Sequence, residues 1–479
     1  MNDLIQSTAL ALVKALRDEK ISPHDLLDVL EKRVGQVDQS VNALPTLCFD
    51  RARQAADQLI KKPVAERGIL CGLPVPIKDL DDVKGVRTSY GSIPFKDNIA
   101  TQSCFLVEKL EAEGAIIYGK SNTPEFGAGG NTFNDVFGVT RNPWNLSKSA
   151  GGSSGGAAAA LASGTAWLAQ GSDNAGSLRS PASFCGIVGF RPTPGLVVRG
   201  PSVNPYQTLL SNGPMARNVE DVALFLDAMA GEDPRDPLTS AKPNTSYLEA
   251  AQKRKKPLKI AFSPDLGLTP VDPEVAEICK NAALRWEELG VSITQDTPDF
   301  SGTKESYQTM RALEFSLSLS YLSNDIRGQL KPELIKNLEI GMNLNSQEIA
   351  RATRERSLIR DRIFSFFDDY DLLLIPTTIV APFSVEERFV TSCNNIEFDS
   401  YTDWLAIAYA ITLVSLPTIS IPCGFTQSGL PVGLQMVGRA RSESDLLGYA
   451  LLMEELLGLD LMPIAPKPSK TARTEKAPK

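Results

Sequence analysis

Apolar positions at one-face spacing open the chain. Leu10, Leu12, Val13 and Leu16 share a helical face, with Lys14 and Arg17 between them. "SPHDLLDVLEKRVGQV" follows, with a Ser-Pro start and apolar residues three and four apart, so residues 1–62 read as helices. From residue 69 the texture changes. Short apolar runs between glycines and prolines, in "ILCGLPVPIKDL" and "GAIIYGKSNTPEFG", predict buried strands that deliver loops. "CFLVEKLEAEGA" between them predicts a helix that stops at Gly114. Strand, helix, strand is the rhythm of an α/β sheet.

The second half continues the mixture. The Pro- and Lys-rich segment 231–265 carries a basic run, Lys253 to Lys256, read as a solvated turn before the strand "LKIAF". Residues 272–370 are mostly helical, although "FSLSLSYLS" at 315 alternates as a strand would. "DLLLIPTT" predicts a strand, "LPTISIPCGF" and "LPVGLQMVG" a strand pair around "TQSGL", and "SDLLGYALLMEELLG" a closing helix. Residues 463–479 are polar and Pro-rich, which predicts a disordered tail.

Composition bounds the function. The chain has 479 residues, which implies two or more domains or one large layered α/β domain with insertions. A net charge of -8 argues for solubility and against a general nucleic-acid binder. No run reaches the ~18 apolar residues of a membrane span. The seven cysteines are dispersed with no CxxC pair, as expected of reduced thiols in a cytoplasmic protein. There is one histidine, His24, near the start of a helix, where it reads as a surface residue. A Ser-His-Asp triad would need His24 itself, and a two-histidine zinc site is impossible within one chain. Neither a metal nor an organic cofactor is indicated.

Chemistry concentrates in two small-residue stretches, "GGSSGG" at 151–156 and "GSDNAGS" at 171–177. A linker should lie between domains, yet an alanine-rich segment follows "GGSSGG" at once. A phosphate loop should end in GK[ST], and this one does not. The remaining reading is a pair of glycine-rich turns that bring backbone N–H groups and serine hydroxyls close to a reacting atom, beside a helix N-terminus. A serine hydroxyl needs a base. Lys78, in "GLPVPIKDL", ends an apolar run where burial would lower its pKa; bringing it from ~10.4 to near ~7.5 costs about 4 kcal/mol. Taken alone, Lys78 reads as a surface lysine with a buried stem; the combination of motifs changes that.

Taken together, these stretches resemble the amidase signature family. "GKSNTPEFG", "TRNPWN", "LIPTT", "LPTISIPCGF" and "GLPVGLQMVG" extend the resemblance over residues 5–457. It implies an α/β fold: a large mixed twisted sheet covered on both sides by helices. Residues 1–62 would pack on the core as a helical segment, and 63–462 would form the catalytic domain, with the signature at about 69–200. It also implies a Ser-cisSer-Lys triad: Ser177 of "AGSLR" as nucleophile, Ser153 as bridging serine on a cis peptide bond, and Lys78 as base. Their separations of 75 and 24 residues fit the family pattern. The backbone N–H groups of Asn174, Ala175, Gly176 and Ser177 would form the oxyanion hole. Ser154 would support the bridging pair, and Asp173 and Arg179 would brace the loop. Where the family commonly has a glycine pair before the nucleophile, this chain has Ala175, which tolerates φ > 0 poorly.

The function so implied is hydrolysis, through an acyl-enzyme, of the C–N bond of a small amide, aryl amide, ester or carbamate (urethane) substrate. The loop 196–214 is expected to be a substrate lid or a passive surface loop, and "GAGGNTF" at 127–133 to line the pocket. Family members are commonly homodimers. Two other functions fit the same resemblance: the glutamine-hydrolysing component of a tRNA-dependent amidotransferase, and a non-catalytic binding protein with the same fold. The amidotransferase component carries an acidic residue near the position of Leu405, where this chain is apolar apart from Asp403. That difference points to an uncharged or aromatic substrate.

Overall fold

The computed structural model describes residues 2–460 and 462–468. Its centre is an eight-stranded mixed sheet. In spatial order the strands are Ser292–Gln295, Lys259–Phe262, Leu372–Pro376, Pro431–Gly438, Thr418–Phe425, Val188–Arg191, Ser211–Ala216 and Leu168–Asp173. The first three pair in parallel and the rest antiparallel. Helices lie on both faces. Gly433 and Gln435 meet the helix Arg179–Cys185 through Ser183 and Arg179, whereas Gly438 meets the helix Glu443–Leu457 through Leu446. An odd separation along a strand puts residues on opposite faces. The fold is the α/β arrangement expected, and the strand pair expected around "TQSGL" is present at 418–425 and 431–438.

The strand that ends at Lys78 is not part of this sheet. Pro74–Lys78 pairs in parallel with Ile116–Ser121, and Thr46–Leu47 completes a separate three-stranded sheet. The helix Phe105–Ala112 makes the crossover, so the strand–helix–strand rhythm is real but belongs to this smaller sheet. It reaches the larger sheet where the Lys78 N–H donates to Gln170 Oε1 at 3.0 Å.

The N-terminal helices form as patterned. Ser22 caps Pro23–Val41 through a capping box with Asp25, and His24 stands outside, 2.9 Å from Asp57. "FSLSLSYLS" is helical as far as Leu319, in the helix Thr303–Leu319. Residues 211–214, expected to belong to a surface loop, are instead the start of the strand paired with Leu168–Asp173. Part of the expected disordered tail is also built into the body. The Ile464 N–H donates to the Ala162 carbonyl and the Lys467 N–H to the Pro143 carbonyl. The rest of that tail, 469–479, lies outside the described residues.

One main hydrophobic core runs under both sheets, and a smaller cluster of Ala128, Leu319, Leu322, Leu330, Leu334 and Leu338 stands apart from it. Phe126 and Phe315 pack against the smaller cluster and face a cavity. No helix among the described residues is long and apolar enough to cross a membrane.

Candidate active site

"GGSSGG" is a wall, not a linker. Residues 155–163 form a helix buried on every side, as an alanine-rich segment without a polar face must be. Its start is pinned by close approach: a Cβ at Gly156 would lie 2.3 Å from the Asn122 nitrogen. The first two N–H groups of this helix are already used, by Thr132 Oγ1 at 3.2 Å and the Asn122 carbonyl at 3.2 Å. The helix therefore packs the loop, and these two N–H groups are not free for a ligand. The peptide bond Gly152–Ser153 is cis. The second stretch continues from the strand Leu168–Asp173, and the Ser154 N–H donates to the Ser177 carbonyl at 3.2 Å, tying the two walls together.

Lys78 ends its strand between these walls with none of its surface exposed. Its Nζ lies 2.7 Å from Ser153 Oγ, 2.9 Å from Ser154 Oγ and 3.2 Å from Ser172 Oγ, with the Ser172 carbonyl at 3.5 Å. Burial pushes its pKa down to about 7, against the opposing pull of Asp81 and Asp173. A neutral amine has two N–H donors and one lone pair. Three hydroxyls around it can satisfy all three, with one serine O–H donating to the nitrogen.

Ser177 lines the same cavity as Ser153 and Ser172, 9% exposed, and its Oγ makes no hydrogen bond to another described residue. Its loop is held by Asp173. The buried carboxylate accepts the Gly176 and Leu178 N–H groups at 2.9 and 3.0 Å, and Arg179 Nε and Nη2 at 3.0 and 2.9 Å. Burial alone would raise the Asp173 pKa, but Arg179 and Arg191 outweigh it and hold the carboxyl well below the usual range. Arg179 is also bonded to Gln435 Oε1, Thr412 Oγ1 and the Ala408 carbonyl, so it bridges the loop to the main sheet.

This bracing corrects the expected oxyanion donors. The Gly176 N–H is directed at Asp173 Oδ1, whereas those of Asn174, Ala175 and Ser177 make no hydrogen bond to another described residue. Asn174, Ala175 and Ser177 are also the loop residues that line the cavity. The left-handed turn falls on Gly176, φ 102°, and Ala175 is not among the positive-φ residues, so the alanine is accommodated.

The cavity has a volume of about 190 Å³. Its walls are Leu80, Phe126, Phe315, Leu319 and Leu405, with Gly127 and Gly129 from the expected pocket segment. Gln207 and Leu210 come from the loop after residue 196. The helix Thr303–Leu319 contributes Tyr307, which stacks on Tyr409 at 4.2 Å and donates to Asn174 Oδ1 at 2.8 Å.

The amidase family model matches residues 25–447. The chain belongs to the amidase signature family. It is 37% identical over 454 residues to an acylamidase of Rhodococcus erythropolis, covering 93% of this chain and 94% of that one. It is 33% identical over 482 residues to a glutamyl-tRNA(Gln) amidotransferase component of Alkaliphilus metalliredigens, covering 95% and 97%. Among solved structures, a bacterial aryl acylamidase of the family superposes with a TM-score of 0.88 at 27% identity, covering 94% and 96%. As a member of the amidase signature family, the protein is an enzyme that hydrolyses the C–N bond of amides.

Several site residues of this amidase escaped the sequence reading. Ser172 and Gln170 sit in or beside "GSDNAGS" but nothing there marks them as partners of Lys78. Tyr307, Arg311 and Tyr401 come from far along the chain and reach the cavity only through folding. Asp403, near the amidotransferase's acidic position, is spoken for: Lys304 Nζ lies 2.9 Å from its Oδ2, and the Ser400 N–H donates to the same oxygen.

Proposed function

We propose that the protein is a free-standing serine amidase with Ser177 as nucleophile, Ser153 as proton relay and Lys78 as base. The observation that carries this reading is the 2.7 Å contact between a fully buried Lys78 Nζ and Ser153 Oγ. Neutral Lys78 takes the Ser153 hydroxyl proton while Ser153 takes that of Ser177. Ser177 Oγ attacks the substrate carbonyl. The N–H groups of Asn174, Ala175 and Ser177 hold the oxyanion; one such donor is worth ~10²–10³ in rate. The proton returns through Ser153 to the leaving nitrogen, the C–N bond breaks, and water releases the acid by the same route. Ser153 and Ser177 line the same cavity, and the relay requires the hydrogen bond between their hydroxyls to form in the substrate complex, where catalytic hydrogen bonds often tighten.

The mostly apolar cavity fits a small amide, aryl amide or carbamate. The seven cysteines are unpaired, which fits an enzyme of the reducing cytoplasm. The second reading is the glutamine-hydrolysing amidotransferase component, favoured by the 33% identity to such a protein over 482 residues. The engagement of Asp403 by Lys304 weighs against it.

Release of 4-nitroaniline from acyl anilides, an aryl carbamate and γ-glutamyl-4-nitroanilide separates these readings. Turnover of the anilides or carbamate, abolished by Ser177→Ala and by Lys78→Ala, is the expected result. Turnover of the glutamine analogue alone would make the amidotransferase component the better reading. Absence of turnover together with failure of a fluorophosphonate to label Ser177 would leave a binding protein.

A further inference from the structure

One stripe of the helix Thr303–Leu319 faces the cavity, and it carries a charge that the reaction does not use. Arg311 lies four residues after Tyr307, ~6 Å farther along the axis from the residue that touches the oxyanion loop. Arg311 is 7% exposed. Its Nη1 donates to Asn337 Oδ1 at 2.6 Å and its Nη2 to the Tyr401 hydroxyl. The guanidinium also lies over the rings of Phe315, at 4.6 Å, and Tyr401, at 5.2 Å.

All of these partners are neutral, and no carboxylate pairs with Arg311 among the described residues. The other arginines buried near this site differ: Arg179 and Arg191 share Asp173, at 2.9 and 3.6 Å. Glu314, three residues on and also at the cavity, forms no ion pair with Arg311. Its carboxylate accepts instead from Asn204 Nδ2 at 2.8 Å. A guanidinium has five N–H groups. Asn337 and Tyr401 take one each, and the Tyr307 hydroxyl faces a third. Two remain, the number that a carboxylate takes in bidentate pairing. A buried, unpaired cation is costly, and a cavity-lining one is satisfied by an anion brought into the cavity.

We propose that Arg311 determines substrate specificity by pairing with a carboxylate on the amide, roughly one helical turn from the scissile carbonyl. This rests on the amidase reading and narrows its substrate class to amides that carry a carboxylate. The carboxylate belongs either to the acyl half, as in a dicarboxylic monoamide, or to the amine half, as in an acylated amino acid.

Binding separates the two sources without needing turnover. The Ser177→Ala protein is titrated calorimetrically with glutaric acid mono-4-nitroanilide and with N-butyryl-4-aminobenzoate, each beside its methyl ester. One free acid is expected to bind about 10- to 100-fold more tightly than its ester. Adding Arg311→Met is expected to bring that ratio close to one, and Arg311→Lys to keep part of it. Acids that bind no better than their esters, a ratio that survives Arg311→Met, or an equal loss for acid and ester, each overturn the assignment. If Arg311→Met does not fold, the ratio in the Ser177→Ala protein and its reduction in Arg311→Lys decide. Wild-type hydrolysis then distinguishes the two claims. Turnover of the neutral ester anilide without acid preference removes the carboxylate site and leaves the amidase. Acid preference in binding without Ser177-dependent turnover removes the amidase reading and leaves the site.

Discussion

Lys78 Nζ and Ser153 Oγ stand 2.7 Å apart in a pocket that leaves the lysine no exposed surface. The amine must be neutral to accept the serine proton, and burial has already brought its pKa to about 7. With an uncharged anilide, kcat/KM should rise about tenfold per pH unit below pH 7 and level off above pH 8. The profile between pH 5.5 and 9.5 checks this. A rise displaced to pH 9 or beyond would mean that a normally charged lysine governs the reaction.

The three hydroxyls around Lys78 should not be equivalent. Ser153→Ala removes the relay and should cost about 10²–10⁴ in kcat. Ser172→Ala leaves the relay but removes an acceptor that favours the charged amine, so the acid limb should move to lower pH. Paired pH profiles of the two variants check the distinction.

Asp173 makes a second prediction about the same loop. Arg179→Met would leave a buried carboxylate with Arg191 as its remaining cation, 3.6 Å away. The loss should be about 3–5 kcal/mol of unfolding free energy, measurable by urea denaturation. A loss below 1 kcal/mol would mean that the surrounding N–H groups suffice.

Function and stability should oppose each other at Lys78. Its folded-state pKa is depressed to about 7, below the unfolded ~10.4, so the unfolded chain binds more protons between these values. The stability of the wild type should therefore rise with pH from about 7 to ~10.4. Lys78→Met should be stabilising near pH 6.5, and that advantage should shrink by up to about 4–5 kcal/mol by pH 10. Urea midpoints at pH 6.5, 8.5 and 10 test it; an advantage independent of pH would contradict the buried-cation account.

The sequence made much of this legible, for physical reasons. The short apolar runs on either side of "TQSGL" and the helical face at residues 10–16 reflect local burial, so run length, helical period and turn chemistry sufficed. Lys78, Ser153 and Ser177 stood in motifs specific enough to bring together residues far apart in the chain. "FSLSLSYLS" remained ambiguous because alternation mimics a strand, while the same segment places Phe315, Ser318 and Leu319 on one helical face at the cavity. Arg311 carried no local signal, since its role depends on Asn337 and Tyr401 arriving from elsewhere. The resemblance implies the Gly176 N–H as an oxyanion donor, but Asp173, three residues before it, accepts that N–H. The disorder expected from residue 463 rested on composition, which takes no account of the body's unpaired backbone groups at Pro143, Leu146 and Ala162.

The most direct test of the central claim is to trap the acyl-enzyme. Wild type and Ser177→Ala are mixed with a 4-nitroanilide at pH 8, quenched during the first turnover and digested for mass spectrometry. The account predicts a burst of 4-nitroaniline and the acyl group on the peptide carrying Ser177, with both absent in Ser177→Ala. Steady release of 4-nitroaniline by the Ser177→Ala protein, or an acyl group on another residue, would contradict it.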